Sequence, residues 1–361
     1  MGAATGIAMT IKHTAVILPG VIAVSAALCW VVQPWMKKEP WAEWKAALPG
    51  RIRALALVAL VTGIAISLSM ANEVMPLVSP KKTWPEKYGM SFLHWRWPGG
   101  TYVRAFKSGL DHGRAGHNTY LLGEFGKTGW WYYFPVVATY KVPIGIALII
   151  ALSAIMLWWT PLRWEEWGLI LPCIAWLLFM LSAKINIGFR HFLPAYLFII
   201  LLACRSVVRG RPGLLILVWI AAAAAGLHSL TYHPDYLTYI NFPRDKPYLD
   251  ISDSNVDWGQ GLKQLRHYLD SHPGGGRKIW FFGFGTEGQE EYYLGDKVST
   301  LTGEEPCPTS GLLVISPVQV LGIYNEKGKD TYTALRNRSP DAVIGHSLMV
   351  FDLDRMNDHR N

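Results

Sequence analysis

LLILVWIAAAAAGLHSL, Leu214–Leu230, runs directly into TYHPDYLTYINFPRDKPYLDISDSNVDWGQGL, Thr231–Leu262, and the junction decides how the chain is read. The first stretch holds no Asp, Glu, Lys or Arg and approaches the roughly 20 apolar residues that a helix needs to cross a bilayer. The second is dense in Tyr, Asn, Asp, Trp and Gln, side chains that a membrane chain rarely carries where it leaves the bilayer. An apolar helical half is therefore expected to end at Leu230, and a polar folded region to begin at Thr231.

Upstream lie five more apolar runs: Thr14–Val32, Ala54–Met70, Val142–Trp159, Trp167–Ala183 and the shorter Phe192–Ala203 with a few flanking residues. The chain has 361 residues, 51% of them hydrophobic, and 17 Trp; a soluble protein of that length carries more charge. Six helices apolar all round are too many for a buried core. The expected fold is an α-helical integral membrane protein of about six transmembrane helices over 1–230, with an external loop at 71–141. A small extracytoplasmic α/β domain is expected over 231–361. No cleavable signal peptide is evident, because Lys12 and His13 interrupt the first apolar stretch and no cleavage pattern follows. Cys307 stands alone after Thr231, which excludes a disulfide within that region, and Cys29, Cys173 and Cys204 show no metal-ligand spacing. The net charge of +8 is scattered around the apolar runs, which argues for anionic lipid and against nucleic acid as partner.

Lys and Arg in short loops mark the cytoplasmic side. Lys37, Lys38, Lys45, Arg51 and Arg53 follow the first run, and Arg205, Arg209 and Arg211 follow the fifth. Both loops fall inside with the same parity, as does Arg163–Glu166, and everything after Thr231 falls outside. Six spans then put the N-terminus outside too, with nothing before the first span to carry it across.

Within the junction, His233, Pro234, Tyr236, Tyr239 and Asn241 form an HP-x-Y-x-x-Y-x-N element. Asp253, Ser254, Asn255, Asp257, Trp258, Gly259, Gln260 and Leu262 form DSN-x-DWGQ-x-L. Both elements resemble those of bacterial membrane glycosyltransferases related to the protein O-mannosyltransferases (glycosyltransferase family 39, GT-C class). Similarity extends through GHNTYLLGEFGKTGWWYYFP and on to Lys141, FRHFLP, GLLVISPVQVLGIY and VIGHSLMVFDL. The resemblance implies a sugar moved from a polyprenyl-phosphate donor to an acceptor, outside the bacterial cytoplasmic membrane. In that family, further helices and an external loop bearing the catalytic Asp precede the segment resembling TGIAMTIKHTAVILPG. This chain is thus expected to be the C-terminal two-thirds of a longer enzyme, or to descend from one. No catalytic residue is assigned within it, and an N-terminal catalytic half or subunit is an expected partner.

On this topology Lys12, Lys141, Lys184, Arg190 and His191 all sit at outer span ends, against the positive-inside tendency. A carrier phosphate at that depth would account for them, since Arg grips phosphate oxygens bidentately and Lys supplies a point charge. Snorkelling to lipid headgroups accounts for any one of them equally well. By resemblance, FRHFLP strengthens Arg190 and His191, and the YFP-to-Lys-x-Pro context strengthens Lys141.

The external loop is rich in aromatics, with Tyr102, Phe106 and Leu110 at helical spacing. An aromatic belt explains them first and a sugar platform second. His117 and Glu124 are carried over as sugar or acceptor candidates by resemblance. After Thr231, strands are expected at Lys278–Phe282, Leu312–Ser316 and Leu348–Asp352. A helix is expected at Gly259–Ser271, started by Asp253, Ser254, Asn255 and Asp257. Shorter helices are expected at Tyr332–Arg336 and after Thr286.

Asp253, Asn255 and Asp257 have the opening spacing of an EF-hand, but Trp258 replaces its Gly and Gln264 its Glu. An EF-hand is excluded, while an irregular divalent-cation site stays open with no metal ligand assigned. GFGTEG at Gly283–Gly288 is a poor phosphate loop. DSN-x-DWGQ has two readings. It caps a helix and docks its domain through Trp258, or Asp253, Asn255, Asp257 and Gln260 hydrogen-bond a sugar; capping accounts for more of the residue choice. The rival from another class is a non-catalytic membrane protein that binds lipid-linked sugar or supports a separate catalytic subunit. A transporter would show two similar halves, and no such repeat is present.

Overall fold

The computed structural model describes residues 30, 41–69, 74–76, 84–98, 100–241, 246–272, 275–325 and 331–358. Lys12 and, apart from Trp30, the expected first span lie outside the described residues. Two compact units emerge, and their limits do not follow the 230/231 junction. The first comprises residues 1–115, 157–179 and 194–202; the second comprises 116–156, 180–193 and 203–361.

In the first unit, helix Trp41–Ser69 covers the second apolar run. Val74–Pro76 pairs antiparallel with Arg96–Pro98, and the helix expected around Tyr102–Leu110 runs over Gly100–Ala115. Most of helix Trp164–Ser182, which carries the fourth run, and most of the 11-residue helix Leu193–Ala203, which carries the fifth, also belong to this unit. At 1.5 Å per residue the latter extends about 16 Å, roughly half a hydrocarbon core.

The second unit holds the remaining apolar helices and the whole polar region, and its elements are numbered here. A hairpin, β1 (Thr119–Leu121) and β2 (Glu124–Gly126), precedes α1 (Tyr133–Lys141) and α2 (Ile144–Ile155). Val142 and Pro143 separate these helices, and the axis turns through 117°. Proline lacks an N–H and pushes its predecessor into extended backbone, which ends α1 at Lys141. α3 (Pro212–Leu230) packs on α2 through Ile149, Val218 and Ala221. A Cβ on Gly145 would stand 2.0 Å from the Ala221 carbonyl oxygen, so only glycine permits this approach. Small residues let helix backbones close in this way where no hydrophobic effect drives association.

Among the described residues two helices, Trp164–Ser182 and Pro212–Leu230, are long and apolar enough to cross a membrane. The bent pair α1–α2 makes a third if it counts as one broken span.

Beyond α3, α4 (Leu262–Ser271) covers a five-stranded sheet of β3 (Ile279–Phe282), β4 (Ser299–Thr300), β5 (Leu312–Ile315), β6 (Ala342–Ile344) and β7 (Leu348–Asp352). The strand order is β4-β3-β5-β7-β6, parallel across β4-β3-β5 and antiparallel from β5 to β6. Leu262, Leu265 and Leu269 recur at helical spacing and pack on Phe281, Val314 and Val350. All three expected strands form within a residue of their expected limits. Short helices Gln289–Leu294 and Thr333–Arg336 stand where short helices are expected.

The start of α4 is a correction. It begins at Leu262, not Gly259, and Gly261 precedes it with no side-chain cap. Asp253–Asn255 form a separate 3-10 turn, and their polar atoms are engaged elsewhere.

Candidate functional site

Two clusters built from the sequence-predicted residues occupy the second unit. The first is a brace around the α1–α2 break. A helix break exposes carbonyls at one end and N–H groups at the other, and each costs free energy when buried away from water. Asn241 answers both. Its Nδ2 donates to the Thr139 carbonyl at 2.8 Å and to the Val142 carbonyl, while its Oδ1 accepts from Ile144 N at 3.1 Å. Its own backbone N donates to Tyr140 O, and the Tyr239 hydroxyl donates to its Oδ1 at 2.8 Å. Lys141 Nζ donates to the carbonyls of Leu237, Tyr239 and Asn255. An ammonium has three protons, so every donor of Lys141 is committed to backbone. Neither a snorkelling lysine nor one free to grip phosphate matches that geometry.

Asn255 is buried and links three segments. Its Oδ1 accepts from Phe189 N at 2.8 Å, and its Nδ2 donates to the Tyr133 hydroxyl and the Ser252 carbonyl. Ser254 donates to the Ile187 carbonyl. A Cβ on Gly188 (φ +124°) would fall 2.3 Å from that Ser254 hydroxyl, so the segment reaching Arg190 needs glycine there for space as well as for φ.

Asp257 is fully buried; it accepts from the Ser316 hydroxyl at 2.5 Å and from Gly259 N at 3.1 Å. Burial pushes its carboxyl up to about 6, opposed by those hydrogen bonds. Ser316 in turn caps Pro317–Leu321, so Asp257 fastens the junction to the end of β5. Gln260 Oε1 accepts from Trp258 N at 2.7 Å, and its Nε2 reaches the Val256 carbonyl and the Ser347 hydroxyl. Asn255, Asp257 and Gln260 are thus consumed by the fold.

The second cluster surrounds Arg190, which sits on the 3-10 turn Phe189–His191. Its guanidinium lies 4.4 Å from the centroid of the Trp258 ring. Among the described residues it has no carboxylate within ion-pair distance, and its Nε is buried without a hydrogen-bond partner. Such a cation keeps its forked donors available for an anion. Trp258 is 46% exposed and meets Phe284 edge-on at 5.2 Å; Phe284 stacks on Tyr324 at 5.3 Å.

Tyr324 donates its hydroxyl to Asp253, and the His117 ring meets Tyr324 edge-on at 5.3 Å. Asp253 has φ +64°, a left-handed backbone that Asp tolerates better than most residues, and it is 3% exposed. Burial raises its carboxyl, while hydrogen bonds from Tyr324 and Ser254 and the charges of His117 and Arg190 pull it back.

The structure therefore gathers Arg190, Trp258, Asp253 and His117, with His191 half-buried in the same turn as Arg190. It does not bring in Lys184 or Glu124, whose side chains are exposed, Glu124 on hairpin strand β2. Among the described residues no three of His, Cys, Asp and Glu come together as a metal site. Tyr324 and Phe284 carry no sequence mark of their own. Tyr324 is the last residue of GLLVISPVQVLGIY, and Phe284 lies in the GFGTEG loop that reads as a poor phosphate loop. No family model, no curated protein and no solved structure matches this chain.

Proposed function

We propose that this chain is the phosphate-recognising part of a GT-C-like membrane glycosyltransferase, embedded by about six helices in the bacterial cytoplasmic membrane. Arg190 would receive the phosphate of a polyprenyl-phosphate-linked sugar on the outer face. The observation that carries the reading is the Arg190 guanidinium, held over Trp258 with its Nε buried and, among the described residues, in no hydrogen bond or ion pair. A partly desolvated Arg outside a direct ion pair gains from an anion that reaches it. Bidentate binding would orient the donor and stabilise charge on the departing phosphate as the glycosidic bond breaks. The exposed part of Trp258 offers the sugar an aromatic surface.

The second reading, a non-catalytic binder of lipid-linked sugar or a support for a separate catalytic subunit, has an observation of its own. The acid beside Arg190 is Asp253, sealed from solvent with both carboxylate oxygens engaged, so no free base faces the phosphate there.

Binding of polyprenyl-phosphate mannose and of polyprenyl phosphate alone to the full chain in detergent tests the proposal. Arg190→Ala is expected to weaken both by about 10- to 100-fold, the worth of hydrogen bonds to a charged group. Unchanged binding of both would sink it. Retained binding with no sugar transfer by the full chain selects the second reading.

A further inference from the structure

A cleft of about 520 Å³ lies well along the chain from Arg190, between the loop at Pro234–Leu237 and the face of α4 from Lys263 to His267. We infer that it is a headgroup site for an anionic phospholipid, with the lipid phosphate held between Lys263 and His267 and an acyl chain lying along α3. The inference rests on Pro212–Leu230 being a membrane span, but on no sugar chemistry.

Charge is the first argument. Along α4 and its surroundings, Arg266 and Lys297 both pair with Asp270. Asp235, the acid of the cleft, is buried and accepts from Gln264 Nε2 at 2.7 Å. Lys263 is exposed and, among the described residues, has no acidic partner; His267 stands four residues on, on the same helix face. The cleft thus presents an uncommitted cation and an imidazole, while its buried Asp235 has one oxygen taken up by Gln264. That set suits an anion such as a phosphate diester rather than a cation.

Depth is the second argument. Thr231, Tyr232 and His233 donate backbone hydrogen bonds to His228, Ser229 and Leu230, so the chain stays coiled as it leaves α3. At about 2 Å per residue in such 3-10 turns, His233, next to the cleft loop, stands about 6 Å beyond Leu230. The headgroup layer on each side of a bilayer is roughly 5–8 Å deep. If α3 spans the bilayer, the cleft opens at headgroup level.

Continuity is the third. Leu227 and Leu230 are 67% and 60% exposed at the end of α3, and Tyr236 and Leu237 are exposed at the cleft wall. Exposed apolar side chains thus stand both at the end of α3 and at the wall of the cleft, where an acyl chain joined to a bound phosphate would need them.

Native mass spectrometry of the full chain in detergent, titrated with phosphatidylglycerol, phosphatidylcholine or glycerol phosphate, tests the assignment. Phosphatidylglycerol is expected to bind in preference to both others. Lys263→Gln is expected to lower its affinity about fivefold, the effect of one basic residue near an anionic surface, and Lys263→Glu to lower it further. Lys278→Gln, which removes a cation lying over Trp280, is expected to change nothing. Equal phosphatidylglycerol binding by Lys263→Gln and the parent overturns the inference, and so does glycerol phosphate binding as tightly as the lipid. Lys263 is exposed, so its variants keep the fold, which unchanged thermal unfolding verifies. A full chain that does not float with phosphatidylcholine vesicles refutes the span on which the site rests. That outcome leaves the Arg190 phosphate assay in detergent standing as a separate result.

Discussion

Asn241 and Arg190 lie on two polar clusters of the same unit, and they differ in how far their hydrogen-bonding capacity is used. Around the helix break, Asn241, Tyr239 and Lys141 direct their polar atoms at backbone, at each other or, for the Tyr239 hydroxyl, also at the His228 ring. Around Arg190, a cation rests on an aromatic ring with a buried nitrogen that has no partner among the described residues. Residue type alone does not separate the two, since each holds a basic side chain beside aromatics near an apolar helix. Saturation does: a satisfied polar cluster rigidifies a fold, whereas an unsatisfied one carries a cost that a ligand can relieve.

The largest expected effect tests the brace. Asn241→Ala orphans carbonyls of α1 and the Ile144 N–H together. At about 1–3 kcal/mol for each buried group left unmade, a loss of roughly 3–5 kcal/mol is expected in thermal or denaturant unfolding. A loss below about 1 kcal/mol would break the comparison, because the break would then be satisfied by other means.

Lys141→Ala sharpens it. A lysine holding three carbonyls is expected to cost about 3 kcal/mol of stability when removed, with phosphate binding following the fraction folded. Full stability together with lost polyprenyl-phosphate binding would move Lys141 from the brace to the binding cluster.

Asp257 gives a pH signature of the fastened junction. Its carboxyl is raised to about 6 in the folded protein, so between the unfolded value near 4 and about 6 the folded state binds more protons than the unfolded. Stability from this group is complete below the unfolded value and is lost as pH rises through about 6. The loss is on the order of 2–3 kcal/mol for a two-unit shift. Asp257→Asn is expected to flatten the slope of unfolding free energy between pH 4 and 7, which a urea titration at each pH measures. An unchanged slope would mean that another group titrates there.

Arg190→Ala is the smallest in stability and the most telling. Losing its contact with Trp258 is expected to cost about 0.5–2 kcal/mol, the range for cation–π pairs, with the fold kept, while phosphate binding falls about 10- to 100-fold. A larger destabilisation without a change in binding would place Arg190 with the brace.

Much of this was legible beforehand. The alternation and length of apolar runs locate β3, β5, β7 and α3 within two residues, because burial sets those patterns locally. Arg190 was legible as a cation at an unusual place. The roles of Asn255, Asp257 and Gln260 were not, since their partners Phe189, Ser316 and Ser347 lie about 60 to 90 residues away in sequence. Asp253, Ser254 and Asn255 look like helix-starting chemistry, yet the partners that engage them are Tyr324, Ile187 and Phe189.

The sequence by itself determined where apolar helices give way to a small α/β sheet, because hydrophobic patterning is read residue by residue along the chain. Only the tertiary structure decided which polar side chains are spent and which remain open. A hydrogen bond is a property of two groups in space, and its absence at the Arg190 Nε, among the described residues, shows only in the folded arrangement.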